Sequence, residues 1–171
     1  MIRFIQVIII ALIGIGNAQK TNSIDFVIKN LGVNVDGHFN SFEINTQFNT
    51  KGDLVSIYGK VEVKSIETGI ESRDEHLLKE DYFHQSKYQY IILESTSMTK
   101  NDDNTYSVLA TLTIKGKTKN ISIPLTLERQ QNRIFIASAF EINRKDFGVG
   151  GSSFILGKTV KVQVKHYHNL L

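Results

Sequence analysis

Apolar and polar residues alternate at every second position through almost the whole chain, and of the regular structures only a β-strand presents that period as two distinct faces. Ile24, Phe26 and Ile28 alternate with Ser23, Asp25 and Lys29, although Val27 makes this segment apolar on both faces. Leu31, Val33 and Val35 continue after a turn, Phe42, Ile44, Thr46 and Phe48 follow, and then Val55, Ile57, Gly59, Val61 and Val63. Tyr106, Val108, Ala110, Leu112 and Ile114 form another face, as do Ile121, Ile123, Leu125 and Leu127. Ile134, Ile136, Phe140 and Ile142 form one more, and Val160, Val162 and Val164 the last. With Tyr88 to Thr96 the pattern implies about eight strands. The separators are short and rich in turn formers: Thr50-Lys51-Gly52-Asp53, Asn101-Asp102-Asp103-Asn104, Lys115-Gly116-Lys117 and Gln130-Gln131-Asn132. Loops that short join antiparallel neighbours.

The chain therefore reads as one all-β domain without a linker or a sequence repeat. Eight antiparallel strands fit a closed barrel, whose interior is either packed with side chains or holds one small ligand. The inward sets are almost wholly aliphatic and aromatic, so any lumen would be dry and would favour an apolar guest. A filled barrel and a hollow one demand the same alternation, and the pattern alone leaves both open. Pro124, the single proline, cannot donate to a ladder, which places it at a bulge, a strand start or a gap in pairing.

The N-terminus has the layout of an export signal. Arg3 precedes an apolar run from Phe4 to Ile15, and Gly16-Asn17-Ala18 ends in a small residue. At about a dozen residues the run is too short to cross a bilayer, so cleavage after Ala18 and release into the periplasm are expected. Gln19 to Leu171 would then fold alone, long enough to bury about 70% of its unfolded surface. Removing Arg3 lowers the formal charge of +3 by one, a balance that attracts no nucleic acid. The absence of cysteine excludes disulfide staples, thiol catalysis, thiolate zinc sites and a lipid-anchored cysteine.

One charged stretch interrupts the β pattern: Glu71 to Phe83, ESRDEHLLKEDYF. Ser72 and Glu75 match a capping box, and Leu77, Leu78 and Tyr82 follow at helical spacing, so a helix over about 72–84 is expected to cover one end of the barrel. His76, Glu80 and His84 would share a face if that helix ran far enough, but no second cluster completes a metal site. Asp74, Glu75 and His76 lack a paired nucleophile for acid–base catalysis. The preferred reading is structural, with Arg73 and Asp74 tying the helix to the rim and Arg144 and Asp146 doing the same at another corner, through Arg–carboxylate geometry. His166 and His168 share a face around Tyr167, but two histidines make a poor metal site. Lys115, Lys117 and Lys119 occupy one hairpin, read as a solvated turn with contact to anionic lipid as the alternative.

Four segments in order resemble one known family: SIDFVIKNLGVNVDGHFNSFE (23–43), SIETGIESRDEHLLKEDYF (65–83), LTIKGKTKNISIPLTL (112–127) and FEINRKDFGVG (140–150). Over nearly all of the chain after the signal, the sequence is similar to the YceI-like polyisoprenoid-binding proteins. That resemblance implies an eight-stranded lipocalin-like barrel, exported to the periplasm, holding a quinone- or polyprenol-type lipid without catalysis or cofactor. A fatty acid or other small amphiphile is the alternative ligand, and a filled structural or stress-response barrel the alternative role. The family often has a proline after the aromatic exit, where this chain has Tyr88-Gln89-Tyr90. The strand phases give the expected lumen wall as Phe26, Ile28, Phe39, Phe42, Ile44, Val61, Tyr90, Ile92, Leu112, Ile123, Phe140 and Val162. Expected partners are the lipid, transiently a membrane surface, and possible homodimer formation with one ligand per chain or per dimer.

Overall fold

The computed structural model describes residues 21–102 and 104–170; the proposed signal segment, 1–18, lies outside them. The elements in chain order are β1 (Ser23–Asn30), β2 (Val33–Phe39), β3 (Phe42–Phe48), β4 (Leu54–Glu62), β5 (Ile66–Glu67), α1 (Glu71–Leu77), β6 (Tyr90–Lys100), β7 (Thr105–Ile114), β8 (Lys117–Arg129), β9 (Arg133–Asn143) and β10 (Leu156–Asn169). All ten strands form one antiparallel sheet in the order β3-β4-β6-β7-β8-β9-β10-β1-β2-β5.

The strand count exceeds the expected eight because two strands are bent. β2 pairs with β5 and β3 with β4. Between these ladders Asn40 N donates to Ser65 O at 3.0 Å and Glu62 N to Ser41 O at 2.9 Å. β2 and β3 are thus two halves of one strand bent at Asn40–Ser41, and β4 and β5 are halves of another, bent through the 3-10 turn Val63–Ser65. Each terminal strand of the sheet continues a strand that lies toward the opposite end, so the β2–β5 and β3–β4 ladders join the two ends of the sheet into the expected barrel of eight continuous strands. Only along the outer edge of β3 does no ladder form among the described residues. Thr46 Oγ1 and His168 Nδ1, 2.9 Å apart, bridge that seam, and Phe48 packs on the His168 ring at 4.8 Å.

Local chemistry sets the details. Lys115 and Gly116 make a two-residue hairpin turn, both with positive φ, the geometry that matches strand twist. A Cβ on Gly116 would lie 2.5 Å from the Tyr88 ring, so only glycine fits. Gly37 stands opposite Phe26 in the ladder, and its missing side chain gives the Phe26 ring its place. Pro124 lies within β8 and pairs with β7, while the β8–β9 ladder extends only over Thr126–Arg129. The gap on that side is bridged by Ser138 Oγ, which donates to Pro124 O at 2.7 Å.

The bulge between Gln47 and Phe48 leaves Val55 without a partner, so Leu54 turns inward and Val55 outward, contrary to the alternation read from Val55 to Val63. The helix is shorter than expected and is not capped by Ser72; Ile70 precedes it with no side-chain cap. Asp74 Oδ1 instead accepts from the Thr68 amide at 3.0 Å and from the Thr68 hydroxyl. Arg73 Nε and Nη2 donate to Thr68 Oγ1 and O at 2.7 and 2.6 Å. Arg73 and Asp74 do tie the helix to the end of β5, but through Thr68 and not through each other. After Leu77 the chain turns back, with Phe83 N donating to Leu77 O and His84 at positive φ. His76, Glu80 and His84 therefore do not share one helix face.

Two packing regions result. At the end away from α1, Leu54, Ile57, Tyr106, Val108, Ala110, Ile123, Leu125, Leu127, Ile134 and Ile136 form a tightly buried floor. At the α1 end, Leu77, Leu78 and Phe83 pack on Phe39, Val61 and Ile66, while Tyr82 and Phe83 also cover Leu112, Ile114, Phe147 and Val149.

Candidate functional site

Between floor and helix the curled sheet encloses a cavity of about 540 Å³, within the range of small-molecule sites. Its wall is almost entirely apolar. Val160, Val162 and Val164 of β10, Ile24, Phe26 and Ile28 of β1, Val35, Ile44 and Gly59 line one side, and Leu112, Ile114, Ile123, Phe140 and Ile142 the other. The strands opposite the packed floor bring three valines from β10, Val35 and Gly59 to the wall among larger residues such as Ile24 and Phe26, and the volume they leave is the hollow. The cavity runs the length of β1, from Asn30, paired with Leu156, to His166, one position beyond the Ser23–Lys165 pair. That is roughly 25 Å at ~3.3 Å per residue. Of the lining residues only Ser72 and His76 are fully exposed, and both lie on α1. The mouth opens beside the helix.

Nine of the twelve expected wall residues line this space: Phe26, Ile28, Phe39, Ile44, Val61, Leu112, Ile123, Phe140 and Val162. Three do not. Phe42, at the bend, packs on the Phe39–Val61–Ile66 cluster. Tyr90 and Ile92 face outward, with Lys60 Nζ 4.0 Å above the Tyr90 ring, while Ile91 and Leu93 take the wall. The cause is the bulge between Ser95 and Ser97, which inverts the phase of β6: Met98 packs on the floor, so even-numbered residues point inward after the bulge and outward before it. A segment reading Tyr-Ile-Ile-Leu is apolar on both faces and gave no phase of its own.

Polar groups punctuate the wall at specific points. Arg144 is only 3% exposed. Its five N–H groups meet five carbonyls: Nε donates to Gly157 O (2.8 Å), Nη1 to Val149 O and Gly151 O (2.6 and 3.2 Å), and Nη2 to Ser153 O and Leu156 O (3.2 and 2.9 Å). The expected Arg144–Asp146 pair is not made; this guanidinium folds the 149–157 loop around itself. Burial lowers its pKa, opposed by the nearby Tyr82. Lys115 Nζ is likewise engaged, by Glu80 O and Gly148 O at 2.7 and 3.0 Å, so that hairpin is a clamp and not a freely solvated turn.

At the floor end stand His166 and Ser138, each 8% exposed. Burial, with the neighbouring His168, pushes the His166 pKa down to about 4, so its imidazole is neutral at pH 7. Neither His166 nor Ser138 stood among the expected wall residues. Extending the Val160-Val162-Val164 phase by one step would have found His166.

Two unrelated side chains, Asn30 Oδ1 and His166 Nδ1, are buried without a hydrogen-bond partner, and both line the cavity. No group of three or more His, Cys, Asp or Glu side chains converges among the described residues. What the geometry can do is enclose one long, narrow, apolar molecule.

A curled antiparallel sheet around an apolar tunnel with a single covering helix defines a lipocalin-like class of fold. The family model described as the YceI-like domain matches residues 17–166, and the chain belongs to that family. A UPF0312 protein of Yersinia pestis (strain Pestoides F) is 32% identical over 136 residues, covering 74% of this chain and 69% of the relative. Among solved structures, Burkholderia cenocepacia BcnA superposes with a TM-score of 0.81 at 21% identity, over 86% of this chain and 96% of that one. A polyisoprenoid binding domain from Saccharophagus degradans gives 0.71 at 18% identity, over 88% and 94%.

Proposed function

We propose that this protein holds one long isoprenoid lipid, of quinone or polyprenol type, in its tunnel and carries or sequesters it without chemical change. The observation that carries this reading is the tunnel itself, hollow and apolar from Asn30 to His166 beside a tightly packed floor. The cavity also speaks against the filled-barrel alternative. The likeness in fold to a polyisoprenoid binding domain supports the same ligand class.

The energetics suit a carrier. Burying a five-carbon unit from water is worth roughly 4 kcal/mol at about 0.8 per carbon. The relevant competitor is the bilayer, where the tail is already dry, so the lumen needs only parity and supplies enclosure. A binding role fits the polar groups as well: Ser138 Oγ gives its hydrogen to Pro124 O, so no serine–histidine pair forms with His166. The export-signal pattern of residues 1–18 supports a periplasmic site for this work. Exchange with a membrane would use the mouth end, where Leu31, Val33, Phe154 and Ile155 stand exposed, Leu31 at 73% and Phe154 at 100%. Leu31 N donates to Ile155 O, joining the two loops.

The test is loading with octaprenol and with a long-tailed quinone. Wild type should retain one lipid per chain through gel filtration. Folded Val162→Phe, which fills the tunnel, and Phe140→Asp, which puts a charge in its dry wall, should retain none. Equal retention by all three would place the lipid outside the tunnel.

A further inference from the structure

We propose that His166 binds an uncharged oxygen, hydroxyl or carbonyl, of the lipid, which therefore lies with that oxygen against the floor and its chain running toward α1. This rests on the tunnel being the lipid site and adds to it the direction of the ligand and the chemistry of its inner end.

An apolar wall has no need of a histidine. His166 continues the inward phase of Val160, Val162 and Val164, stands opposite Ile136 in the ladder and is 8% exposed. At that position a leucine would pack. Its Nδ1 nevertheless has no protein partner, and a buried polar atom left unpaired is destabilising. A group built into a dry wall and left unpaired is a group waiting for a ligand atom.

The surroundings specify what that atom is. With its pKa pushed to about 4, the ring offers one N–H and one lone pair at neutral pH. Ser138, which faces Val164 in the ladder beside it, has committed its hydrogen to Pro124 O and has only lone pairs left to offer. His168, on the same face, is engaged with Thr46 at 2.9 Å. No cation is among these groups, so a phosphate or carboxylate driven to the floor would be buried unpaired, at prohibitive cost. A hydroxyl can accept from the imidazole and donate to its lone pair or to Ser138; a carbonyl can accept from the N–H. The mouth supplies no comparably buried donor: Arg144 has five carbonyls for its five N–H groups, Arg73 and Asp74 are both bound to Thr68, and Ser72 and His76 are exposed to water. Asn30, whose Oδ1 is the other buried unpartnered atom among the described residues, is half-buried near Leu156 at the opposite end and is the competing site for a hydroxyl.

The experiment compares octaprenol with the matching hydrocarbon that lacks the hydroxyl, by competition on wild type and on His166→Leu. Wild type should prefer the alcohol by about tenfold, the equivalent of 1.4 kcal/mol, and His166→Leu should bind the two about equally. His166→Asn, which keeps a hydrogen-bonding side chain, should recover part of the preference and serves as the second variant if leucine impairs folding. Loading wild type with octaprenol should also shift the imidazole nitrogen resonances of His166. A wild type that does not discriminate would overturn the assignment and leave the lipid reading intact, with His166 hydrated and not ligand-bound. Discrimination that survives in His166→Leu would move the oxygen to Asn30 or the mouth and overturn it equally. Failure of both lipids to bind would remove the lipid reading, and this inference with it.

Discussion

The two sides of the barrel share one sequence pattern and end in opposite states. On β7, β8 and β9 the inward residues Tyr106, Val108, Ile123, Leu125, Ile134 and Ile136 are buried against one another and against Leu54 and Ile57. On β1, β3 and β10 the inward residues Phe26, Ile44, Val160, Val162 and Val164 are only half-buried; they line the cavity opposite Leu112, Ile123, Leu125 and Ile136, which line it too but are buried by their neighbours. Alternation fixes which way a side chain points, whereas volume decides whether it meets another. The floor strands bring mostly tyrosine, leucine and isoleucine to their inward positions, with Val108 and Ala110 between them. The β10 wall brings three valines, with Gly59 and Thr46 also lining the cavity, and the space between is left for a ligand.

The largest expected effect comes from the corner that closes the hollow side. Arg144→Leu should destabilise by about 3–5 kcal/mol, since five buried or part-buried carbonyls lose their donors at once; chemical denaturation of the variant would measure it. A loss under 1 kcal/mol would mean that water replaces the guanidinium and that the loop needs no organiser.

The floor–wall contrast is tested by one pair of truncations. Ile134→Ala should cost about 2–5 kcal/mol, the usual range for a fully packed core position, and leave lipid retention unchanged. Val162→Ala should cost below about 1 kcal/mol, because half of its neighbours are cavity, and should alter retention instead. Thermal melts with and without octaprenol give both readouts, and equal destabilisation at the two sites would break the comparison.

A third expectation concerns pH. The unfolded His166 imidazole titrates near 6.5, whereas the folded one stays neutral down to about 4. Between those values the unfolded state binds more protons, so stability is on its plateau above pH 6.5 and falls as the pH drops toward 4. The loss reaches about 3 kcal/mol. His166→Leu should flatten that slope; a slope identical to wild type would assign it elsewhere.

A further substitution sharpens the shape of the hollow. A Cβ on Gly37 would lie 2.3 Å from Phe26 Cζ, so Gly37→Ala must swing the Phe26 ring into or out of the tunnel. The expected cost is about 1–3 kcal/mol, with a change in the length of lipid retained, read by mass spectrometry of the extract.

Strand identity, antiparallel pairing and most of the tunnel wall were legible in the sequence because alternation is a local property. What failed was whatever depended on partner strands. Val55 and the β6 pair Tyr90 and Ile92 were misplaced because single-residue bulges, invisible to alternation, invert the phase. The bends that turn eight strands into ten arise where Asn40 and Ser41 meet Glu62 and Ser65, contacts more than twenty positions apart. Arg144 was assigned a carboxylate because Asp146 is close in sequence, yet its partners are carbonyls of the loop that follows. The hollow itself could not be seen, since a valine facing a ligand and a valine facing a leucine read alike.

The central claim is that the hollow side exists to hold one long isoprenoid lipid. Native mass spectrometry of the protein purified from the periplasm of its own host, followed by organic extraction, tests it most directly. The account predicts a bound mass of one lipid per chain, with an isoprenoid alcohol or quinone in the extract. Protein that flies at its bare mass, and remains so after incubation with octaprenol and with a long-tailed quinone, would contradict it.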